Sequence, residues 1–188
     1  MPTTYKTSDL SDACEAAQGC ALALRSFGRR RSFSGAIRTV RCFEDIALMR
    51  EAVSQSGHDQ VLVIDGGGSM ARALFGDVMA DKASRNGWAG VIVHGAIRDS
   101  VEIDAMDIGV MALGTVPQRG TRTGAGEVDV PVEFGGVRFV PGQRLVADAD
   151  GVLLLPPGVH EAEIEVADAL AATAAYAADA ADAAQPPA

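Results

Sequence analysis

The chain has 188 residues, 48% of them hydrophobic, and a formal net charge of -9 at pH 7. That length suits one domain with a genuine core. No stretch approaches the ~20 consecutive apolar residues that span a bilayer, and the acidic balance disfavours nonspecific contact with nucleic-acid phosphates. Met1 to Leu10 lacks a basic segment followed by an apolar run, so the expectation is a cytoplasmic protein without a secretory signal. Cys14, Cys20 and Cys42 have neither the even count of a disulfide framework nor zinc-ligand spacing, and read as free thiols.

Thr7 to Ala13 opens on cap-type residues and predicts a short helix. Arg25, Arg29, Arg30 and Arg31 form one basic cluster. With no RNA-binding motif beside it, the cluster reads as a solvated loop or an ionic contact with another subunit. Phe33 to Cys42 alternates as a strand, and Glu44 to Ser54 carries Ile46, Leu48, Met49 and Val53 at roughly helical spacing. Gln60 to Asp65 is a nearly continuous apolar run, the pattern of a strand buried on both faces. Gly66, Gly67 and Gly68 break it. Phe75 to Arg85 reads as a helix ended by Asn86-Gly87, Gly90 to His94 as a buried strand, Ser100 to Met106 as one helical turn and Ile108 to Leu113 as a strand. Alternation of strands and helices predicts an α/β domain.

The second half turns to hairpins. Val128 to Phe134 alternates, Gly135-Gly136 turns it, and Val137 to Val140 returns. Leu145 to Ala147 and Val152 to Leu155 flank Asp148-Ala149-Asp150-Gly151. That last run superficially resembles the start of a calcium loop, but the remaining ligands are missing, so it reads as an Asp-Gly turn. From Glu161 the chain predicts a helix rich in Ala, Glu and Asp, fraying beyond about Ala171. The expected division is a single domain over 1–160 and a C-terminal helix and tail over 161–188.

The residues that carry chemistry lie at the centre. Gly66-Gly67-Gly68 has neither the dinucleotide-binding spacing nor a P-loop Lys-Ser/Thr pair. Gly76-Asp77-Val78-Met79 falls at a predicted helix start. Free amides and the helix dipole there suit an anion; the plainer alternative is that Asp77 caps the helix. Arg98-Asp99 follows a buried strand at its C-terminal end, where α/β sheets place ligands. Arginine offers a planar charged fork for a carboxylate. Asp99 suits Mg²⁺ or Mn²⁺, which take one or two protein carboxylates and keep several waters. The competing structural account is an Arg98–Asp77 ion pair supporting a turn. His94, inside a strand, reads as a packed wall residue more readily than a base. No Ser-His-Asp order, Cys-His pair or nucleophile elbow is present.

At these positions the chain resembles the RraA-like family, which holds both the regulators of ribonuclease E activity and the metal-dependent 4-hydroxy-4-methyl-2-oxoglutarate aldolases. The resemblance runs from about Thr7 to Pro156. It is carried by Val61 to Ser69 with its Asp-Gly-Gly-Gly-Ser run, Arg72-Ala73-Leu74, Gly87 to Asp99, Asp107-Ile108-Gly109-Val110 and Phe134-Gly135-Gly136-Val137. It implies a compact α-β-β-α sandwich of the swivelling phosphohistidine-domain type, assembled as a homotrimer with sites at subunit interfaces.

The resemblance also implies roles. The family's aldolases carry an aspartate, 20 intervening residues and an Arg-Asp pair, which here are Asp77, Arg98 and Asp99. Asp99 is then the metal ligand. Arg98 and the amides of Gly76, Asp77, Val78 and Met79 hold the pyruvoyl part of a small keto acid, and Asp77 with Arg98 serves catalysis. Such an enzyme would also decarboxylate oxaloacetate. An adjacent subunit's acid completes the family's site; Glu161, Glu163 and Glu165 are candidate donors. The rival is a non-catalytic regulator that binds a ribonuclease E-type protein. The regulator branch can lack the aspartate after the arginine and the Gly-Asp at the helix start, both retained here, although the glycine-rich runs look closer to that branch. A methyltransferase role, an old label in this family, finds no S-adenosylmethionine-type glycine loop.

Overall fold

The structure, a computed structural model, describes residues 5–164 and 167. In chain order the elements are α1 (Thr7–Ala13), β1 (Gln18–Gly19), β2 (Arg25–Phe27), β3 (Phe33–Arg41), α2 (Ala47–Val53), β4 (Gln60–Asp65), β5 (Ala73–Phe75), α3 (Asp77–Arg85), β6 (Gly90–Ile97), α4 (Ser100–Asp104), β7 (Gly109–Thr115), β8 (Glu127–Val128), β9 (Val132–Phe134), β10 (Val137–Phe139), β11 (Arg144–Ala147) and β12 (Val152–Leu154). One mixed sheet runs in the order β1-β12-β11-β3-β4-β6-β7-β2, with β5 paired to β6 and β8 to β3. Its centre, β3-β4-β6-β7, is parallel, and its flanks are antiparallel. The β9–β10 hairpin stands apart.

Alternation along the central strands explains their unbroken apolar runs. Leu62, Ile64, Val91, Val93, Val110 and Ala112 face α2, α3 and α4, joining Met49, Val53, Ala80, Ala83 and Ile103. Val61, Val63, Ile92 and Met111 face the other way, onto Val132, Phe134, Val137 and Phe139 of the hairpin. A parallel strand covered on both sides has no polar face to display. A third cluster joins α1 to β11 and β12 through Leu10, Val146, Leu153, Leu155 and Ile164. The result is a mixed α/β fold dominated by one large sheet.

Several local expectations are revised. The helix expected from Phe75 begins at Asp77, because Ala73–Phe75 is taken into the sheet beside β6. The helix expected from Glu44 begins at Ala47, because the Asp45 carboxylate accepts the Ala47 amide and turns the chain there. Val128 pairs with β3, so the hairpin strand starts only at Val132. Two arginines of the basic cluster are tied within the chain: Arg30 donates to the carbonyls of Trp88, Ala89 and Asp107, and Arg31 to that of Ser26. Asp148 holds the Thr7 amide and hydroxyl and closes a turn with Gly151. Cys14, Cys20 and Cys42 are free, and only Cys42 is buried; burial pushes its thiol up to about 12. Residues 161–164 and 167 are helical; the other residues of the expected tail, Glu165 included, lie outside the described residues. Among the described residues no helix is long and apolar enough to cross a membrane.

Candidate active site

Two parallel neighbours, β5 and β6, end side by side. The Arg98 amide donates to the Phe75 carbonyl at 3.0 Å, stitching the exit of one strand to the exit of the other. After β5 the chain passes through Gly76 into α3; after β6 it passes through Arg98 and Asp99 into α4. Residues 22 positions apart in sequence thereby meet at one point. Gly76 has an extended backbone, so its role is space. A Cβ there would sit 2.7 Å from Asp99 Oδ2 and 3.2 Å from Arg98 Cγ.

Asp99 adopts the left-handed conformation, φ 54° and ψ 42°, which costs a non-glycine residue roughly 1 kcal/mol and is eased for aspartate. That twist turns its carboxylate back toward the start of α3. Asp99 Oδ2 is ion-paired with Arg98 Nε at 3.2 Å and lies beside Gly76 at the start of α3. Burial and the neighbouring Asp77 push Asp99 above the usual carboxylate range, against the pull of the Arg98 charge. Two like-charged carboxyls of this kind are eased by a proton or a cation between them.

Gly76, Asp77, Val78, Met79, Arg98 and Asp99 all line one cavity of about 340 Å³, so these six are brought together. The volume falls at the small end for ligand sites, ~300–1,000 Å³. The expected amide cradle is in use within the chain: the Val78 amide donates to the Asp77 carboxylate at 2.7 Å and the Met79 amide to the Gly76 carbonyl at 3.0 Å. The Arg98–Asp77 ion pair weighed from the sequence is replaced by Arg98–Asp99.

The donor set fits a hard dication. Asp99, on its left-handed turn, and Asp77, at the start of α3, line one cavity, and their two carboxyls match the one or two protein oxygens plus waters that Mg²⁺ and Mn²⁺ take. Among the described residues no group of three or more His, Cys, Asp or Glu is placed to hold a metal. His94 stands elsewhere, stacked on Phe134 at 4.5 Å with Nδ1 2.8 Å from Asp65 Oδ1. Glu161 is buried and binds Arg144, which also binds Asp59 at 2.6 Å. Glu163 accepts the His160 amide.

Sequence reasoning missed part of the cavity lining, to which Arg50 of α2 and Arg119 and Arg122 of the β7–β8 connection contribute. Asp45 positions that connection. Its carboxylate accepts from the Thr121 and Thr123 hydroxyls and from the Thr123 and Gly124 amides. Burial would raise this acid, but the hydrogen bonds outweigh it and hold it far below the usual carboxylate range. The available signal was Arg119-Gly120-Thr121-Arg122-Thr123-Gly124, two arginines with no acid between them.

Comparison with known proteins bears on the fold and the family. Residues 7–154 match the RraA-like family, described as Aldolase/RraA. A structure from Geobacillus kaustophilus described as an S-adenosylmethionine:2-dimethylmenaquinone methyltransferase is 52% identical, with a TM-score of 0.79 over 80% of this chain and 94% of that one. The RNA-processing inhibitor RraA from Thermus thermophilus is 45% identical, with a TM-score of 0.80 over 84% of this chain and 98% of that one. Streptomyces coelicolor RraAS2, at 23% identity and a TM-score of 0.72 over 92% of this chain and 91% of that one, shares the fold. With the family match spanning most of its length, this chain belongs to the RraA-like family.

Proposed function

We propose that the protein is a divalent-metal-dependent lyase that cleaves 4-hydroxy-4-methyl-2-oxoglutarate, or a related 4-hydroxy-2-keto diacid, to pyruvate. The same site decarboxylates oxaloacetate. The reading takes the protein as a cytoplasmic homotrimer with sites at subunit boundaries, and its fold as a relative of the swivelling phosphohistidine domains. The observation that carries it is the meeting of Asp77, Arg98 and Asp99 around Gly76 at the mouth of one small cavity.

Asp99, with Asp77 beside it, would hold Mg²⁺ or Mn²⁺, and the bound ion would supply Lewis-acid polarisation at the substrate's ketone oxygen. The chain's own residues do the rest. Arg98 donates to the keto-acid end and orients it. A ligand carboxylate at the start of α3 takes the Val78 amide from Asp77, leaving Asp77 to accept the C4 hydroxyl proton, directly or through one water. The oxygen electrons form the new carbonyl, the C3–C4 bond breaks, and its electron pair passes to C3 of the departing pyruvate. The Arg98 charge stabilises the negative oxygen that develops at C2. Decarboxylation leaves the same electron pair on the same carbon, so one set of groups serves both substrates.

The test is pyruvate release from each substrate with and without Mg²⁺. Chelator and Asp99→Asn are each expected to reduce turnover at least about a hundredfold, the scale of losing a transition-state charge partner; full turnover in chelated protein overturns the reading. A second reading rests on the 45% identity to the Thermus inhibitor: a protein-binding regulator of a ribonuclease E-type enzyme. It predicts that Asp99→Asn leaves inhibition of RNA cleavage intact and that pyruvate release is negligible.

A further inference from the structure

The protein carries 25 acidic and 16 basic side chains, so carboxylates are in excess and most of its arginines have one. Arg38, Arg41, Arg72, Arg85, Arg138 and Arg144 are all ion-paired. Arg50, Arg119 and Arg122 are different. None of their guanidinium groups makes an ion pair or hydrogen bond with a described residue, and all three border the cavity that holds Asp77, Arg98 and Asp99. Arg50 and Arg122 also border the adjoining cleft with Lys82. In a chain of net charge -9, three idle cations on one cavity mark a place for negative charge brought from outside.

Their mounting is firm. Ala73 exchanges backbone hydrogen bonds with Gln118 and Gly120, and Thr121 with Glu44 and Ile46. Asp45 grips Thr121, Thr123 and Gly124 from below. The strap bearing Arg119 and Arg122 is thus stitched on both sides, and Arg50 projects from the helix that Asp45 starts. A preorganised guanidinium fork loses little freedom when it meets a carboxylate.

We propose that Arg50, Arg119 and Arg122 receive a second carboxylate of the substrate, at the end remote from the keto acid, and make the cavity selective for dicarboxylates over monocarboxylates. This rests on the lyase reading for the keto-acid end, which Arg98 and the two aspartates serve. The arginine trio does no bond breaking; it positions the substrate and sets its specificity.

The test compares two ligands by titration calorimetry on the full chain with Mg²⁺: pyruvate, with one carboxylate, and 2-oxoglutarate, with two and no C4 hydroxyl to cleave. Wild type is expected to bind 2-oxoglutarate about tenfold or more tightly than pyruvate. Arg119→Ala/Arg122→Ala, both at exposed positions, is expected to bring the two within about twofold while leaving pyruvate affinity and the melting temperature unchanged. Equal affinities in wild type, or a preference that survives the double substitution, overturn the proposal. So does inorganic phosphate binding as tightly as 2-oxoglutarate through the same arginines, which would make this a generic anion site. A preference for 2-oxoglutarate that the substitution removes, in a protein that releases no pyruvate, supports the arginine subsite and sinks the lyase reading alone. Pyruvate release at equal kcat/KM from 4-hydroxy-2-keto acids with and without the second carboxylate does the reverse.

Discussion

At the scale of single residues, the site is built from one absence and one strain. The absence is the Gly76 side chain, whose place is taken by the Asp99 carboxylate. Gly76→Ala puts a methyl group 2.7 Å from Oδ2, which must swing away from Arg98. The expected result is a loss of kcat/KM of tenfold or more, about 1.4 kcal/mol, with an unfolding midpoint close to wild type, read by steady-state kinetics and urea melts. The strain is Asp99 itself. Glycine enters the left-handed region freely whereas alanine does not, so Asp99→Gly should be more stable than Asp99→Ala by about 1 kcal/mol. Both should lack activity. Equal stabilities would mean the backbone twist has relaxed in the variants.

At the scale of elements, Asp45 joins the start of α2 to the strap between β7 and β8. Its carboxyl is held low in the folded protein by donors that outweigh its burial, and lies near 3.9 when unfolded. The stabilisation is therefore complete above about pH 5 and is lost as pH falls through the unfolded value toward the folded one. Asp45→Asn should cost about 2–3 kcal/mol at pH 7, from a lost charge and imperfectly satisfied donors. The gap to wild type should narrow below pH 4, and urea midpoints at pH 7, 5 and 3 would show it. How far sequence could see also differs by element. The central strands were legible, because burial on two faces writes long apolar runs. Asp77, Arg98 and Asp99 were legible from their spacing and family likeness. Ala73–Phe75 was not: three apolar residues before Gly-Asp fit a helix start as well as a strand, and only pairing with β6 decides. β1 and β2, with two and three residues, are too short to carry a period. Arg119 and Arg122 were hidden because a connection has no periodicity, and its order comes from an aspartate more than 70 residues earlier.

At the scale of the whole molecule, one sheet separates two apolar layers. β4 and β6 each lie between parallel neighbours with both faces covered. Their amides should exchange slowest in native-state hydrogen exchange, at the free energy of global unfolding, while Glu127 and Val128 at the exposed edge exchange early. Fast exchange through β4 would mean that the parallel centre opens independently of the rest. The site grows out of this core on one side, where Met49, Leu74, Phe75 and Met79 line its cavity, and reaches into exposed connections on the other, where Arg119 and Arg122 do. Exposed residues on the second side, Arg119 and Arg122 among them, can be exchanged with little penalty to folding. What the cavity recognises can thus be retuned at its exposed rim while the buried side that supports it stays as it is.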